Sequence, residues 1–268
     1  MRSLKAIFFI LFACTCLCYL GFPKAATASA DTATGLGWSY QAETGPTHWA
    51  ELDERFALCA TGQSQSPIDL TAAVAADLVN PEFHYSPAPL NLLNNGHTVQ
   101  VPYAPGSYIL LAGKQYDLLQ FHFHSPSEHT IEGQPQAAEL HLVHQNDVGE
   151  LAVVAVMLQA EEEEARQKGD GSMGYDLLSA HLPRAVGEKV RTGKRVNVRS
   201  LLPTQTTTYR YQGSLTTPPC SESVTWLIMS EPVALPPDQL SEYQTLLKHN
   251  NRPLQNLNSR SITLDSSP

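Results

Sequence analysis

Residues 115–130 read QYDLLQFHFHSPSEHT, and the first ten set the fold class. Aromatic and aliphatic residues interleave with polar ones at short range, without helical recurrence, and the run stops at Ser125-Pro126. The stretch is therefore expected to be a strand. Residues two apart on a strand share a face, with Cα atoms roughly 6.5–7 Å apart. His122 and His124 then project together, close enough for two imidazoles to meet one ion. Three histidines and Glu128 within residues 119–130 leave three readings open. The stretch is a metal site, an acid–base cluster, or a polar strand whose histidines are satisfied by neighbours.

The flanking sequence repeats the pattern. HTVQVPY (97–103), SYILLAG (107–113), AAELHLVHQ (137–145) and ELAVVAVMLQ (150–159) read as strands separated by Gly, Pro and Asn. The last is nearly continuous in apolar residues and is expected to be buried on both faces. RVNVRSLL (195–202), TTTYRYQG (206–213) and SVTWLIMS (223–230) read as further strands. Residues 161–181 open with four glutamates and contain GDGSMG, which predicts one or two short helices around a surface loop. PPDQLSEYQTLLKH (236–249) begins on prolines and places Leu240, Tyr243 and Leu247 on one helical face. Trp38, Tyr40 and Trp49 are able to anchor the N-terminal segment on a core. With no internal repeat and no long linker, the expectation is one mainly β domain with a few short peripheral helices.

The first 30 of the 268 residues are set apart by composition. Arg2 and Lys5 precede the apolar run AIFFILFACTCLCYLGF, and ATASA ends at Ala30, the pattern of a secretory signal peptide over 1–30. The domain is then 31–268. LFAC, ending at Cys14, is the alternative of a lipoprotein processing site. No later segment has eighteen uninterrupted apolar residues, so no transmembrane span is expected. Removing 1–30 takes away Cys14, Cys16 and Cys18 and leaves Cys59 and Cys220. In an oxidising compartment these two are expected to pair, the alternative being two buried thiols. It also leaves 14 basic against 26 acidic residues, a net charge of −12. That charge excludes nucleic acid and anionic membrane as expected partners.

A third ligand beside His122 and His124 must come from another strand, and AELHLVH offers His141 and His144. Period two puts Glu139, His141 and Val143 on one face and Leu140, Leu142 and His144 on the other. Glu139 thus accompanies His141, as Gln120 accompanies His122. A metal-binding imidazole usually gives its second N–H to a carboxylate or carbonyl, which fixes the tautomer. Three neutral imidazoles with an open fourth position suit catalytic zinc. His129 and His144, taken singly, read as hydrogen-bonded structural histidines. His122, His124 and Glu128 also match the H-x-H-x-x-x-E core of the cupin metal motif. Tyr116 and Pro135, however, stand where that motif needs glycines.

Several distant segments fit one family in its order. QSQSPIDL (63–70), LNNGHTVQV (93–101), LQFHFHSPSEHT (119–130), AAELHLVHQND (137–147) and GSLTTPPC (213–220) together resemble the α-class carbonic anhydrases. The matches run from about Trp38 to Arg260. The short HSPSEH connection and the Cys59 with Cys220 pair are similar to the bacterial and plant branch. The resemblance implies a single domain built on a large twisted, mostly antiparallel sheet, and zinc held by His122, His124 and His141. It implies reversible hydration of CO2 to bicarbonate and a proton by a zinc-bound hydroxide. Gln120 and Glu139 would orient the ligands, and Thr216 would pass its proton to Glu128 and accept from the hydroxide.

The same resemblance assigns Val143, Val153, Leu215 and Trp226 to an apolar CO2 pocket and Thr217 to the bicarbonate side. His97 matches the proton shuttle, while Tyr40, Asn95 and Gln100 match positions that order its water chain. Arg252 in NNRPLQ fits a structural position away from substrate. The expected protein is an exported enzyme, periplasmic or extracellular, acting on a small molecule as a monomer or homodimer. A catalytically silent relative acting as a binding domain is the alternative from another class. Such relatives lose a zinc histidine, and here all three are present.

Overall fold

Alternating burial organises most of the chain into one 13-stranded sheet, seen in a computed structural model that describes residues 37–160 and 173–265. Met1–Thr32 and Ala33–Pro268 separate as two units. The expected signal peptide and Cys14 lie outside the described residues, as do residues 161–172. The first half carries β1 (Val74–Ala76), β2 (Glu82–His84), β3 (Ala88–Asn94), β4 (Val99–Pro102), β5 (Tyr108–Leu111) and β6 (Lys114–His124). The short hairpin β7 (Thr130–Ile131) and β8 (Gln134–Pro135) precedes β9 (Ala138–Gln145) and β10 (Leu151–Ala160). Then come β11 (Lys189–Val196), β12 (Thr208–Ser214), β13 (Glu222–Met229), β14 (Val233–Leu235) and β15 (Thr263–Asp265).

Across the sheet the order is β1-β15-β12-β13-β10-β9-β6-β4-β3-β11. Most ladders are antiparallel as expected, while β1–β15, β10–β13 and β10–β14 are parallel. The central β10 is buried on both faces, as its apolar run requires. Leu140, Leu142, Val154 and Val156 enter the larger core, and Val153, Ala155 and Met157 enter a second core. The sheet therefore separates two apolar layers, and the period-two split of β9 decides which residues reach the site.

Among the described residues four short helices flank the sheet: α1 (Trp49–Leu52), α2 (Leu58–Thr61), α3 (Met173–Ser179) and α4 (Pro237–Leu247). In α4 Pro237 opens the helix, and Leu240, Tyr243 and Leu247 form the buried face. The Tyr243 ring lies 4.9 Å from that of Phe123, so α4 packs behind the histidine strand. The edge strand β11 is mostly exposed, and Lys189, Arg191, Lys194 and a register shift make it a poor template for a further strand.

One strand expectation is corrected. RVNVRSLL (195–202) does not continue as a strand: β11 ends at Val196, and Val198–Leu201 is a 3-10 turn. Asn197 accepts the Arg199 N–H through Oδ1, a local side-chain bond that replaces the ladder. β3 is a strand without a strand signature, because Pro89 and two asparagines mask its inward Leu90 and Leu92.

Cys59 and Cys220 form a disulfide across 161 residues of chain, buried with Trp49 and Phe56 and with Trp38 and Tyr40 packed against them. The bond joins α2 to the end of the 215–220 segment. Closing so long a loop limits the unfolded chain, so converting both cysteines to serine should lower stability by about 2–5 kcal/mol. Denaturant unfolding of the double variant measures this. An unchanged midpoint would leave the crosslink without a stabilising role.

Candidate metal centre

Pairing of β6 with β9 sets His122 directly opposite His141 and His124 opposite Glu139. The three rings lie 4.6–5.3 Å apart by centroid. One nitrogen from each of His122, His124 and His141 lies within 4.8 Å of the others, a set that can hold a metal ion. His124 and His141 are buried and His122 is half-buried.

Hydrogen bonds determine which nitrogen of each ring is free. His122 Nδ1 donates to Gln120 Oε1 at 2.9 Å, and His141 Nε2 donates to Glu139 Oε1 at 2.9 Å. His124 Nδ1 donates to the Asn250 carbonyl at 2.7 Å. Each acceptor fixes a tautomer, leaving the lone pairs at His122 Nε2, His124 Nε2 and His141 Nδ1. His124 Nε2 is buried with no hydrogen-bond partner among the described residues. An orphaned buried imidazole nitrogen is costly unless something occupies it, and a cation does so. Burial also lowers the pKa of all three rings, His124 to about 4, which keeps them neutral as metal ligands must be.

A second metal-capable group, His129, Glu139 and His141, overlaps the first. Its members already satisfy one another. Glu139 Oε1 accepts from His129 Nδ1 at 2.7 Å and from His141 Nε2, and its Oε2 accepts the N–H groups of Glu128 and His129. Burial alone would raise the Glu139 pKa, but His129, His141 and their hydrogen bonds hold it well below the carboxylate range. Glu139 is a buried carboxylate anchored by four donors, at hydrogen-bond and not coordination distances.

Glu128 belongs to neither group, so the cupin reading, which needs it beside His122 and His124, is not supported. Its Oε1 accepts the Arg252 backbone N–H at 2.8 Å, and its Oε2 stands 4.0 Å from His141 Nδ1. Burial pushes its pKa up to about 7, against the lowering effects of His141, the Arg252 N–H and the Thr216 hydroxyl. Thr216 is close enough to act on Glu128, yet Oε2 accepts no hydrogen bond of normal geometry among the described residues. The two form a near contact and not a closed bond.

Beside the histidines lies an apolar wall. Val143, Val153 and Trp226 are successive neighbours across β9, β10 and β13, and Leu215 packs in the same cluster. The Trp226 ring stands 4.9 Å from that of His141, and its Nε1 donates to the Ser214 carbonyl at 3.0 Å. Thr217 is half-buried on the segment ending at Cys220, whose N–H returns to the Thr217 carbonyl.

On the other side, Gln100 pairs with His122 across β4 and β6, and Asn95 Nδ2 donates to Gln100 Oε1 at 3.2 Å. His97 lies in the β3–β4 turn, its ring stacked on Trp38 with centroids 3.8 Å apart. Burial, with the charge of Glu128 acting in the same direction, raises the Tyr40 pKa well above the usual phenol value. Arg252 is buried, donating its guanidinium to Gln65, Ser66 and Cys59, away from the open histidine nitrogens.

Two parts of the centre have no signal in the sequence. One is Asn250, whose contribution to His124 is a backbone carbonyl, a group every residue owns. The other is the chain behind Glu139: His129 Nε2 accepts from Tyr211 at 2.7 Å, and Tyr211 meets Ser66 at 2.7 Å. Read singly, His129 is a structural histidine; in the fold it is also the partner that holds Glu139.

A three-histidine centre on a mixed sheet, walled by Val, Leu and Trp, has the donor set of a metal site beside an apolar wall. Residues 44–266 match the model of the eukaryotic-type carbonic anhydrase family. A carbonic anhydrase of Nostoc sp. is 39% identical over 247 residues, covering 90% of each chain. Among solved structures, the α-carbonic anhydrase of Thermovibrio ammonificans, in complex with the inhibitor sulfanilamide, has a TM-score of 0.80. It is 36% identical and matches over 86% of this chain and 100% of its own. A hyperthermostable carbonic anhydrase from a hydrothermal vent chimney gives 0.79 and 40%, with the same coverage. The chain belongs to the α-carbonic anhydrase family, in which zinc-dependent hydration chemistry is general.

Proposed function

We propose that this protein hydrates CO2 reversibly to bicarbonate and a proton, with zinc held by His122, His124 and His141. The observation that carries the reading is the trio of imidazoles whose other nitrogens are all committed to protein acceptors. Zinc, when bound, brings the pKa of a coordinated water to about 7, the established value for carbonic anhydrase itself.

Every other role falls to the chain's own residues. Gln120, Glu139 and the Asn250 carbonyl keep the rings in their ligating tautomers. Thr216, its proton aimed at Glu128, presents only an acceptor lone pair to the attacking water and so orients it. Val143, Val153, Leu215 and Trp226 exclude water from the side on which apolar CO2 is received, and Thr217 takes the bicarbonate side assigned to it by the family resemblance. His97 takes the proton released by each turnover through water ordered by Tyr40, Asn95 and Gln100. An imidazole with a pKa of about 6.5 loads and unloads near neutrality.

Stopped-flow CO2 hydration with parallel zinc analysis tests the reading. Turnover proportional to zinc content is expected, and a zinc-loaded protein without hydration activity would leave only a binding domain. His97→Ala is expected to lower kcat about 10–100-fold in dilute buffer and to recover with imidazole. Wild-type turnover of that variant in dilute buffer would remove His97 from the pathway. Export is part of the same proposal, supported by the composition of residues 1–30 and by the Cys59–Cys220 disulfide.

A further inference from the structure

Asn250 is 2% exposed and joins the site at four points. Its carbonyl accepts from His124 Nδ1. Its side chain faces elsewhere: Nδ2 donates to the carbonyls of His97 and Phe123, both at 2.9 Å. Oδ1 accepts the Ser125 N–H at 2.8 Å. One amide therefore spans the turn that carries His97 and the end of the strand that carries His122 and His124.

The rest of the His97 turn is held locally. Asn95 Oδ1 accepts the N–H groups of His97 and Thr98, and the His97 ring rests on Trp38. Those contacts shape the turn, and Asn250, from the segment after α4, joins the His97 carbonyl to the histidine strand through one side-chain amide. Thr98 Oγ1 adds a neighbouring link to the Phe123 carbonyl. We infer that the Asn250 side chain is a positioning residue for proton transfer, fixing the His97 backbone relative to the histidine centre. This rests on the proposed shuttle role of His97.

Two functions of one residue then separate. Any substitution at 250 keeps the backbone carbonyl, so His124 keeps its acceptor and zinc should still bind. What is lost is the side chain's own bonds, to the His97 and Phe123 carbonyls and from the Ser125 N–H. A shift of the shuttle by about 1 Å is enough to slow a transfer that depends on geometry. CO2 attack does not involve His97 and should be nearly untouched.

The experiment compares wild type, Asn250→Ala, Asn250→Ser, His97→Ala and the Asn250→Ala/His97→Ala double variant, with zinc content checked for each. For Asn250→Ala, kcat in dilute buffer should fall about tenfold while kcat/KM stays within about twofold, and imidazole should restore kcat. In the double variant kcat should equal that of His97→Ala alone, since both changes act through one step. Amide exchange at His97, Thr98 and Ser125 should quicken in Asn250→Ala, in metal-free and zinc-loaded protein alike, while β10 amides stay protected. Asn250→Ser carries the same kinetic test if the alanine variant does not fold. Unchanged kcat, or kcat and kcat/KM falling together without imidazole rescue, overturns the inference while His97→Ala still shows its defect. If His97→Ala itself turns over normally, the shuttle reading fails and takes this inference with it.

Discussion

His141→Ala should release the metal and leave no measurable hydration. His141 is the one histidine common to both metal-capable groups, so its loss opens each of them. Removing a residue that only orients a ligand costs about 10–100-fold in metal affinity. Removing a ligand must cost more, because the ion loses a coordination bond and Glu139 loses one of its four donors in a buried setting. Equilibrium dialysis should therefore show an affinity drop beyond about 100-fold. The sister variants locate the ion. His124→Ala should behave like His141→Ala, whereas His129→Ala should keep zinc, because His129 has both ring nitrogens committed to Glu139 and Tyr211. Stoichiometric zinc with full turnover in His141→Ala would overturn the ligand set. Zinc lost from His129→Ala but kept by His124→Ala would move it to the overlapping group.

Part of the proposed trio is legible in the sequence because strand periodicity is a strong constraint, while the choice of His141 over His144 as the third ligand comes from the family resemblance. Two histidines two apart, and a Glu and His two apart, have fixed faces once the strands are known. β6–β9 register then needs only to bring the two pairs opposite each other. Of the apolar wall only Val143 follows from the same rule, as it shares the His141 face; Val153, its cross-strand partner in the structure, comes with Leu215 and Trp226 from the family resemblance. Roles for Thr216 and His97 are not legible from spacing and come from resemblance to a family. Neither a threonine in a Pro-rich turn nor a histidine in a Gly-flanked one has a local signature of chemistry.

What stays hidden has a common physical origin. Asn250 acts on His124 through its main chain, and its side chain reaches residues more than a hundred positions away. Tyr211 and Ser66 meet only after the sheet has closed, 145 positions apart. At 195–202 the alternation of apolar residues favours a strand, but one asparagine side chain captures the next turn's N–H and ends it. Periodicity reports faces; it does not report which backbone carbonyl arrives beneath a ring.

Thr216→Ala should lower kcat/KM about 100-fold with zinc fully retained, a loss of ~2.7 kcal/mol in transition-state stabilisation. Thr216 is not among the residues proposed to hold the ion, so the affinity for the ion has no reason to change. Nor should the site collapse. Glu128 is fixed by the Arg252 N–H, Leu215 is bonded to Ser221, and the disulfide ends the segment at Cys220. On the proposed reading, what disappears is a hydroxyl whose proton is directed at ionised Glu128. Thr216→Ser keeps that hydroxyl and should retain most activity, which separates the oxygen from the methyl. Glu128→Gln tests the direction itself: an amide can donate to Thr216, freeing the hydroxyl to point its proton at the attacking water and lose its use as an acceptor. A loss similar to that of Thr216→Ala, again with zinc in place, is expected. If Thr216→Ala matches wild type in kcat/KM at full zinc occupancy, orientation of the nucleophile does not depend on this pair.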